Sequence, residues 1–496
     1  MTSWIIGVDV GGTFTDLFAF DRASGAFALH KTSSTPDNPA RAILTGIQEL
    51  VEKTEIDFDQ ISMVAHGTTV ATNALIQRKG GAVAMVTTEN FRDLIEIGRQ
   101  VRPKLYDLKA DFPQPLARRE HRFEVRERVG PAGEVIQPLD EGSVTAAVAA
   151  VRESGAKSCA VGFLFSYLNG EHERRVGEAL RAALPGMWVS LSSEVQPEFR
   201  EYERFSTTVL NAYLQPLLAN YMTTLQRELS AIAPAARIGI NQSSGGLMSV
   251  ERAKSFPIRT ALSGPAAGAM GAAHVAAMAG RTDAITLDMG GTSADVALIR
   301  GLKTKLSFAR DVAGFPVRLP MVDINTVGAG GGSVAWFDRD GLLKVGPLSA
   351  GAAPGPACYG RGGEEATVTD ANLVLGRLST RGLLGGAMPL DAEAARRAVG
   401  RLAEKLGFTT ERTAQGILDI VTANMVRAIR AISVERGHDP RDFVLMPFGG
   451  AGPLHANACA RSLGIREIAV PYAPGILCAE GLLVADLSES WVRSQR

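Results

Sequence analysis

Residues 5–16 read IIGVDVGGTFTD, and residues 285–296 read ITLDMGGTSADV. Each stretch has an apolar run, an aspartate, one further residue, a Gly-Gly-Thr turn and a second aspartate. An apolar run that stops at a glycine turn and then resumes predicts a β-hairpin. Glycine lets the main chain approach a ligand closely, and successive N–H groups in a tight turn form an anion-binding concavity. Two such hairpins in one chain predict a polyphosphate that is held from both sides.

The other residue types of the two stretches point the same way. Threonine and serine hydroxyls add hydrogen-bond donors, and an aspartate at a strand end can hold a hydrated Mg²⁺ ion. A single copy could be an ordinary tight hairpin, because Gly-Gly turns are common. The repetition of the same residue order favours nucleotide binding.

Length and charge limit the kind of protein. At 496 residues the chain exceeds one ordinary hydrophobic core, which predicts two or three domains. A hydrophobic content of 46% and a charged content of 21% are typical of a soluble globular protein. Lys+Arg 52 balance Asp+Glu 52. Without a basic field, we expect no nucleic-acid partner and no membrane partner.

Cysteine usage and the N-terminus indicate a cellular compartment. Cys159, Cys358, Cys459 and Cys478 lie far apart without a C-x-x-C pair, which predicts reduced thiols and no zinc site. The sequence opens directly into a strand, so we expect no signal peptide. The weakly polar stretch 266–280 is too short to span a bilayer. These features predict a cytoplasmic protein.

Strands and helices alternate through the first half of the chain, which predicts an α/β fold. We expect one domain over residues 1–200, in which the Arg- and Pro-rich residues 90–139 form a cap-like insertion. The alternation pauses near residue 200, and a long helix is predicted after it. Residues 201–496 are predicted to form a second domain that carries the second hairpin.

A third glycine turn, FGGAGP at 448–453, lies between a predicted strand and a predicted helix. Such a turn exposes N–H groups and lets a flat base or ribose lie against bare backbone. The turn lacks the G-x-x-x-x-G-K-[ST] pattern of a Walker A loop and the third glycine of a dinucleotide-binding fingerprint. By itself it could be an ordinary strand–helix turn, but its place after two phosphate hairpins favours a ligand loop.

The order of the three turns resembles the phosphate-1, phosphate-2 and adenosine order of the actin, hexokinase and heat-shock ATPase superfamily. More narrowly, the sequence resembles the hydantoinase A / 5-oxoprolinase family in the motifs GVDVGGTFTD, AHGTTVATNALI, REYERFSTTVLNAYL, LSGPAAG, LDMGGTSADVAL, NTVGAGGGS and PFGGAGPLHA. These motifs extend from Gly7 to about Ala456. The resemblance implies two actin-like (ribonuclease H-like) lobes with a nucleotide cleft between them.

This family includes ATP-dependent hydrolases of cyclic amides, such as hydantoins, 5-oxoproline and lactams, and nucleotide-binding subunits of ATP-dependent ketone carboxylases. The resemblance implies that ATP phosphorylates the amide oxygen and that water then opens the ring. A ketone carboxylase subunit is the nearest alternative. An ATP-gated binding or chaperone-like ATPase is a further one, although no long C-terminal peptide-binding module is visible.

By position, the resemblance also implies the ATP and Mg²⁺ site. Asp9 and Asp288 would hold Mg²⁺ through water or orient the attacking oxygen, and the sequence does not separate these roles. The groups expected to contact the nucleotide are Gly11, Gly12, Thr13 and Thr15 in the first hairpin, Gly290, Gly291, Thr292 and Ser293 in the second, and Gly449, Gly450, Ala451 and Gly452 in the third turn.

Five other residues are weaker candidates. His66 follows a predicted strand; a lone histidine is more often structural, but a ligand role stays open. His455 is expected to pack or to cap a helix. Ser333 nearly matches the G-x-S-x-G nucleophile elbow, and we expect a ligand-facing loop residue rather than a nucleophile. Asp323 and Asp370 could bind metal, although solvated or capping aspartates are common.

Members of the resembled family usually continue well beyond the point where this sequence stops, and they commonly act with a second subunit. The resemblance therefore implies a hetero-oligomer with a B-type hydantoinase subunit and a small cyclic amide or ketone as substrate. The sequence has no convincing metal cluster or activated nucleophile outside the glycine turns. We expect the chain alone to bind ATP but to turn over cyclic amide slowly or not at all.

Overall fold

The structure is a computed structural model that describes residues 3–35, 38–54, 56–107, 109–383, 386, 388–492 and 494. Its strands, in chain order, are β1 (Trp4–Val10), β2 (Phe14–Asp21), β3 (Phe27–Ser33), β4 (Ile61–Thr68), β5 (Val83–Thr88), β6 (Arg122–Val125), β7 (Arg128–Val129), β8 (Val135–Gln137), β9 (Ser158–Gly162), β10 (Trp188–Leu191), β11 (Arg237–Asn241), β12 (Leu247–Ser249), β13 (Ala284–Met289), β14 (Ala294–Arg300), β15 (Lys303–Thr304), β16 (Leu306–Ser307), β17 (Arg310–Val312), β18 (Phe315–Val317), β19 (Met321–Val322), β20 (Ile324–Val327), β21 (Ser333–Phe337), β22 (Leu343–Ser349) and β23 (Val444–Phe448).

The helices, in chain order, are α1 (Pro39–Thr54), α2 (Val70–Ile76), α3 (Leu94–Ile97), α4 (Glu141–Glu153), α5 (Glu171–Ala183), α6 (Ser192–Val195), α7 (Glu201–Ile232), α8 (Val250–Ser255), α9 (Ser263–Met278), α10 (Val368–Val374), α11 (Ala392–Leu406), α12 (Thr410–Ile432), α13 (Gly452–Leu463) and α14 (Leu477–Leu483). Several begin at polar caps. The side chains of Asp140, Asp391 and Thr409 accept N–H groups at the starts of α4, α11 and α12, as expected for residues of these types.

The first sheet has the order β12-β11-β4-β1-β2-β3. β1, β2 and β3 are antiparallel, whereas β4 and β11 run parallel to β1. Burial alternates along β2, so that Leu17 and Ala19 are buried while Phe18 is partly exposed. The buried face packs against α1, whose Ile43 and Ile47 are fully buried in the same core.

The second sheet, β10-β9-β5-β6, is entirely parallel. The third has the order β15-β14-β13-β23, with β20 also paired to β14. In the third sheet, β13 is antiparallel to β14 and parallel to β23. The first and third sheets therefore share one arrangement, a β-hairpin beside a parallel strand, and the whole is a mixed α/β fold.

The first sheet continues past residue 200, where we expected a domain boundary. β11 and β12 lie after that position, and β11 pairs with β4 of the first sheet. The long helix α7 packs between these elements, with Phe205, Leu214 and Met222 buried in the core of the first sheet. This sheet therefore includes residues on both sides of position 200.

Residues 90–139, which we expected to form a cap-like insertion, contribute one strand to the second sheet. β6 pairs in parallel with β5 and completes the second sheet, so only part of this segment lies outside the sheet. The residues before β6 carry exposed side chains such as Leu105 and Tyr106. None of the helices in the described ranges is both long enough and apolar enough to cross a membrane.

Candidate functional site

The two repeated stretches fold into hairpins with the same register. Asp9 lies opposite Asp16 in the first hairpin, and Asp288 lies opposite Asp295 in the second. The turns close in the same way: Gly11 N donates to Phe14 O at 3.0 Å, and Gly290 N donates to Ser293 O at 3.0 Å. The predicted hairpins are present, and the sequence repeat is a structural repeat.

Each hairpin aspartate faces a glycine on the neighbouring parallel strand or just beyond it. Gly67 lies opposite Asp9 on β4, and a methyl group on Gly67 would lie 2.7 Å from Asp9 Oδ1. Gly449 follows β23 with φ 76°, and a methyl group there would lie 2.4 Å from Asp288 Oδ1. Any larger residue at either position would displace a carboxylate. Gly67 was not among the predicted site residues, although it lies in the quoted AHGTT motif.

The two carboxylates are close enough to interact. Burial raises the pKa of Asp9 to about 7, with a further contribution from Asp16 and an opposing one from Lys31. Burial also raises the pKa of Asp288 to about 8, and Asp295 and Asp9 add to the effect. Asp9 Oδ1 is enclosed and has no hydrogen-bond partner among the described residues. Two desolvated carboxylates from different hairpins are a suitable environment for a divalent cation with its water ligands.

The partner aspartates of the two hairpins have different neighbours. Asp16 forms an ion pair with Lys31, whose ammonium group also lies 5.2 Å from the centre of the Phe14 ring. Asp295 instead accepts a hydrogen bond from Thr326 Oγ1. Lys31 places a positive charge beside Asp9 and Asp16, and the sequence analysis did not single it out. It lies on β3, and only the β2–β3 pairing brings it to Asp16.

Helix α14 lies between the two hairpins. A methyl group on Gly7 of β1 would lie 1.9 Å from Ala479 O, so α14 packs directly on the first hairpin. On the other side, Cys478 Sγ donates to Asp288 Oδ2 at 3.6 Å. Burial and the nearby carboxylates raise the pKa of the Cys478 thiol well above its usual range, which keeps it protonated as a donor. All four cysteines are free, as expected for reduced thiols.

The tips of the hairpins and the third turn leave backbone facing open space. A methyl group on Gly12, Gly290, Gly291 or Gly450 would meet no atom of the described residues within 4 Å. Bare backbone beside an open volume is the arrangement that lets main-chain N–H groups approach a phosphate or a base. Thr13, Thr292 and Ser293 are also partly or fully exposed at the tips, whereas Thr15 is buried.

The third turn is attached to the second hairpin. Ala451 N donates to Met289 O at 2.9 Å, and Gly449 N donates to Pro474 O at 2.9 Å. Gly452 is buried at the start of α13, where a methyl group would lie 2.8 Å from Leu287 O. Three of the four predicted residues of this turn therefore fasten it, and Gly450 is the one that faces open space.

The glycine-rich segment 328–333 supports the second hairpin through hydrogen bonds to its turn. Gly331 N donates to Gly290 O at 2.9 Å, and Gly332 N donates to Gly291 O at 2.7 Å. A methyl group on Gly330 would lie 2.4 Å from Thr292 N, so the two backbones are in contact. The expectation that Ser333 faces a ligand is wrong: its side chain is buried, and its Oγ accepts a hydrogen bond from Gly330 N at 2.8 Å.

The two histidine candidates are structural. His66 lies within β4 rather than after it, and its ring is hydrogen-bonded on both sides, to Val8 O at 3.2 Å and to the hydroxyl of Tyr221 at 2.7 Å. Burial lowers the pKa of His66 to about 4, so the ring is neutral and satisfied. His455 is buried in α13, as expected for a packing residue, and burial lowers its pKa to about 4 as well.

The two weaker metal candidates have structural roles. Asp323 forms an ion pair with Arg436. Asp370 is buried at the start of α10, where it accepts from Thr367 N at 2.9 Å and from Cys358 N at 2.8 Å. Over the described ranges, no group of three or more His, Cys, Asp or Glu side chains could hold a metal by itself. A cation at Asp9 and Asp288 would thus need oxygen ligands from water or from a bound phosphate.

Comparison with known proteins agrees with this geometry. A family profile described as "Hydantoinase/oxoprolinase" matches residues 204–490, and one described as "Hydantoinase/oxoprolinase N-terminal region" matches residues 5–184. The chain is 40% identical over 493 residues to the caprolactamase subunit alpha of Pseudomonas jessenii, which covers 97% of this chain and 70% of that one.

Two solved structures share the fold. The crystal structure of the ATP-dependent caprolactamase from Pseudomonas jessenii superposes with a TM-score of 0.85 at 38% identity, covering 96% of this chain and 70% of that one. The nucleotide-free structure of acetone carboxylase, from work on ATP-dependent acetone carboxylation, has a TM-score of 0.85 at 28% identity and covers 98% and 71%. The chain belongs to the hydantoinase/oxoprolinase family.

Proposed function

We propose that the two hairpins and the turn at 449–452 line a nucleotide cleft between two actin-like (ribonuclease H-like) lobes. Support comes from the sheets, since the first and third each place a hairpin beside a parallel strand. We place the division between the lobes after β12 rather than near residue 200, because β11 and β12 belong to the first sheet. The shared α/β arrangement would then put one phosphate turn on each side of the cleft.

ATP and Mg²⁺ fit the residues that are present. The open backbone at Gly12, Gly291 and Gly450 leaves room for phosphates and a base, and the unpaired Asp9 Oδ1 is an available acceptor for a metal-bound water. Bound MgATP would supply the phosphoryl group. The chain's own contribution is to position the phosphates with N–H and hydroxyl groups of the two tips, while Asp9 and Asp288 hold the hydrated cation.

The proposed reaction is the ATP-dependent hydrolysis of a cyclic amide, with this chain as the nucleotide-binding A-type subunit. The observation that carries it is the pair of hairpins with identical register, each with a desolvated aspartate, Asp9 or Asp288, beside an open glycine tip. An amide carbonyl is a poor electrophile because of its resonance, and phosphorylation of its oxygen removes that protection. The relative at 40% identity is a caprolactamase subunit, which favours a lactam-type substrate here.

The nearest alternative is a nucleotide-binding subunit of a ketone carboxylase, because acetone carboxylase matches the fold with the same TM-score of 0.85 as the caprolactamase. The two reactions differ in the substrate that couples to ATP. The protein, co-purified with a B-type partner subunit and supplied with MgATP, would be offered hydantoin, 5-oxoproline and caprolactam in one series, and acetone or acetophenone with bicarbonate in another. ADP release that depends on a cyclic amide supports the proposal, whereas release that needs ketone and bicarbonate replaces it with the alternative.

A partner is part of the proposal. The caprolactamase relative is a subunit by name, and we propose that this chain likewise acts with a B-type subunit in a hetero-oligomer. The chain alone is then expected to bind ATP but to open a cyclic amide slowly or not at all. Light scattering after size exclusion, followed by amidase assays with and without the co-expressed partner, checks both statements. Full ATP-coupled hydrolysis by the isolated monomer would contradict the second.

A further inference from the structure

A cavity of about 690 Å³ lies away from the hairpins, and no hairpin residue lines it. Its walls come from β10, the residues after α6, α7, the α8 region and residues 490–492 near the C-terminus. Apolar and aromatic side chains such as Val189, Phe256 and Trp491 form part of the lining. This volume falls within the range of small-molecule sites, and none of the residues proposed for the nucleotide cleft contributes to it.

Positive charge dominates the cavity. Arg181, Arg252 and Arg259 all line it, and Glu194 is the acidic residue in the same lining. Burial raises the pKa of Glu194, which favours its neutral form. Arg252 lies 3.2 Å from a carboxylate oxygen of Glu489, but that carboxylate is half exposed. The buried charge is therefore only partly compensated.

Arg259 is the most enclosed of the three arginines. The residue is only 9% exposed. Both Arg259 and Arg252 lie over the ring of Phe256, and their guanidinium carbons are 5.6 Å and 3.9 Å from the ring centre, respectively. Burial and the neighbouring Arg252 lower the pKa of Arg259 to about 10. Two like charges on one aromatic ring repel each other, and the hydrogen bond from Arg259 Nη1 to Ser490 O at 3.3 Å has a neutral acceptor.

Unsatisfied polar atoms of the lining point to a ligand. Arg259 Nε is buried without a hydrogen-bond partner in the part of the chain that the structure describes, and Gln196 Oε1 is in the same state. The neighbouring side-chain amide nitrogens, by contrast, have hydrogen-bond partners. Asn211 Nδ2 donates to Ser190 Oγ and Ser255 O at 3.0 Å each, and Gln215 Nε2 donates to Ser255 O at 3.1 Å. Buried polar groups are almost always paired, so two unpaired atoms in side chains that line one cavity are unusual.

We propose that this cavity binds a small organic carboxylate with an apolar or aromatic body, whose carboxylate is held by Arg259 with support from Arg252 and Arg181. A planar carboxylate matches the fork of a guanidinium and would balance the positive charge of the three arginines. The ring of Trp491 and the side chain of Val189 would contact the body of the ligand. The site is independent of the proposed ATPase function, because it is defined by binding alone.

Two segments of the cavity wall are close in sequence to residues that lie beside the hairpin aspartates. Arg259 lies in the helical turn Pro257–Thr260, a few residues before Gly264, where a methyl group would lie 3.7 Å from Asp9 Oδ1. Residues 490–492 continue from α14, which carries Cys478 beside Asp288.

Calorimetric titration of the full chain tests the site with a matched pair of probes, benzoate and its neutral isostere benzamide. Benzoate is expected to bind, benzamide is not, and nucleotide added beforehand should leave benzoate binding unchanged. Arg259→Gln and Arg252→Gln should each weaken benzoate binding about tenfold or more, as expected for loss of a charge-assisted hydrogen bond. The control Arg227→Gln removes an exposed arginine on α7 and should change nothing.

Three results would overturn the proposal. Equal binding of benzoate and benzamide would show that the guanidinium groups do not recognise charge. Binding of sulfate without binding of benzoate would make the cavity an inorganic-anion site. Benzoate affinity that is the same in the wild type and in both arginine variants would place the ligand elsewhere. If Arg259→Gln does not fold by circular dichroism, the less buried Arg252→Gln decides the question.

Discussion

The two hairpins share register and turn but are fastened by different means. In the first, the end of β3 supplies the support: Ser34 Oγ donates to Gly11 O at 2.8 Å, and Ser34 N donates to Thr13 O at 3.0 Å. In the second, Gly331 N and Gly332 N supply the support, because they donate to carbonyl oxygens of the turn at 2.9 and 2.7 Å. The first hairpin also has the ammonium group of Lys31, and the second has the hydroxyl of Thr326 in the same role.

The residues of the two tips are therefore alike, whereas the residues that support the tips differ. The tip residues repeat because both turns must present bare backbone and one carboxylate. The supporting residues do not repeat, although they lie on or just after equivalent strands, because β3 pairs with β2 as β20 pairs with β14, and Lys31 and Thr326 lie opposite the second aspartate of each hairpin. We therefore expect substitutions at the tips to have similar effects in both hairpins, and substitutions in the supports to have different ones.

The largest expected effect tests the equivalence of the two tips. Asp9→Asn and Asp288→Asn should each lower MgATP turnover by about 10²–10³ while leaving the fold intact, because each removes a carboxylate that positions the cation. Steady-state ATPase rates with the partner subunit present, and circular dichroism for the fold, measure this. Asp419→Asn on the exposed face of α12 is the control. Wild-type turnover in either variant would reject the two-sided phosphate site.

The next effect concerns the support of the second hairpin. Gly330→Ala should weaken ATP binding at least about tenfold and lower the melting temperature, since its methyl group would lie 2.4 Å from Thr292 N and overpacking of this kind costs about 1–3 kcal/mol. Calorimetry and thermal melting check both. Gly416→Ala on α12 is the matched control for Gly330→Ala, because a methyl group at Gly416 meets no described atom within 4 Å. A Gly330→Ala variant that behaves like Gly416→Ala would show that the backbone contact does not support the tip.

A smaller effect is expected at the third turn. Gly450→Val should weaken nucleotide affinity about tenfold without abolishing phosphate chemistry, because its side chain would enter the open space where a base or ribose approaches. The substitution meets no described atom within 4 Å of the added Cβ, so the variant should fold. Unchanged affinity for ATP in calorimetry, with a folded variant, would move the adenosine site away from this turn.

The smallest effect is a pH dependence of stability. The pKa of Asp288 in the folded protein, about 8, lies above its ordinary value of 3.8, so the folded state binds this proton more tightly than the unfolded state. The stabilisation is complete below pH 3.8 and is lost as the pH rises through 8. Asp288→Asn has no such loss and should therefore be more stable than the wild type at pH 8.5 by about 1–2 kcal/mol, without Mg²⁺. Denaturant unfolding at pH 5 and pH 8.5 measures the difference, and an advantage that does not grow with pH would contradict the shift.

Much of the site was predictable because it is local in sequence. A hairpin needs only a turn and its two flanking strands, so the order of residues in 5–16 and 285–296 was sufficient to place both tips and their aspartates. The family resemblance rested on the same short motifs, and the family profiles confirm it. The neutral, satisfied His66 also agrees with the more common role of a lone histidine.

Other parts could not be predicted in this way. Lys31, Gly67 and Cys478 lie beside the hairpin carboxylates, but each reaches them from a different strand or helix. The pairing of β11 with β4 was not predicted either, because it joins residues that are far apart in the chain. Ser333 was expected to face a ligand and is instead buried beneath the second hairpin.

The sequence by itself determined the two hairpins, the third turn and the family, because each depends on the backbone freedom of glycine and on a few adjacent side chains. Only the tertiary structure decided that burial raises the pKa values of Asp9 and Asp288, and that Gly331 and Gly332 hold one tip while Ser34 holds the other. The physical reason is that desolvation and charge coupling depend on distance in space, and the packing of three sheets sets those distances.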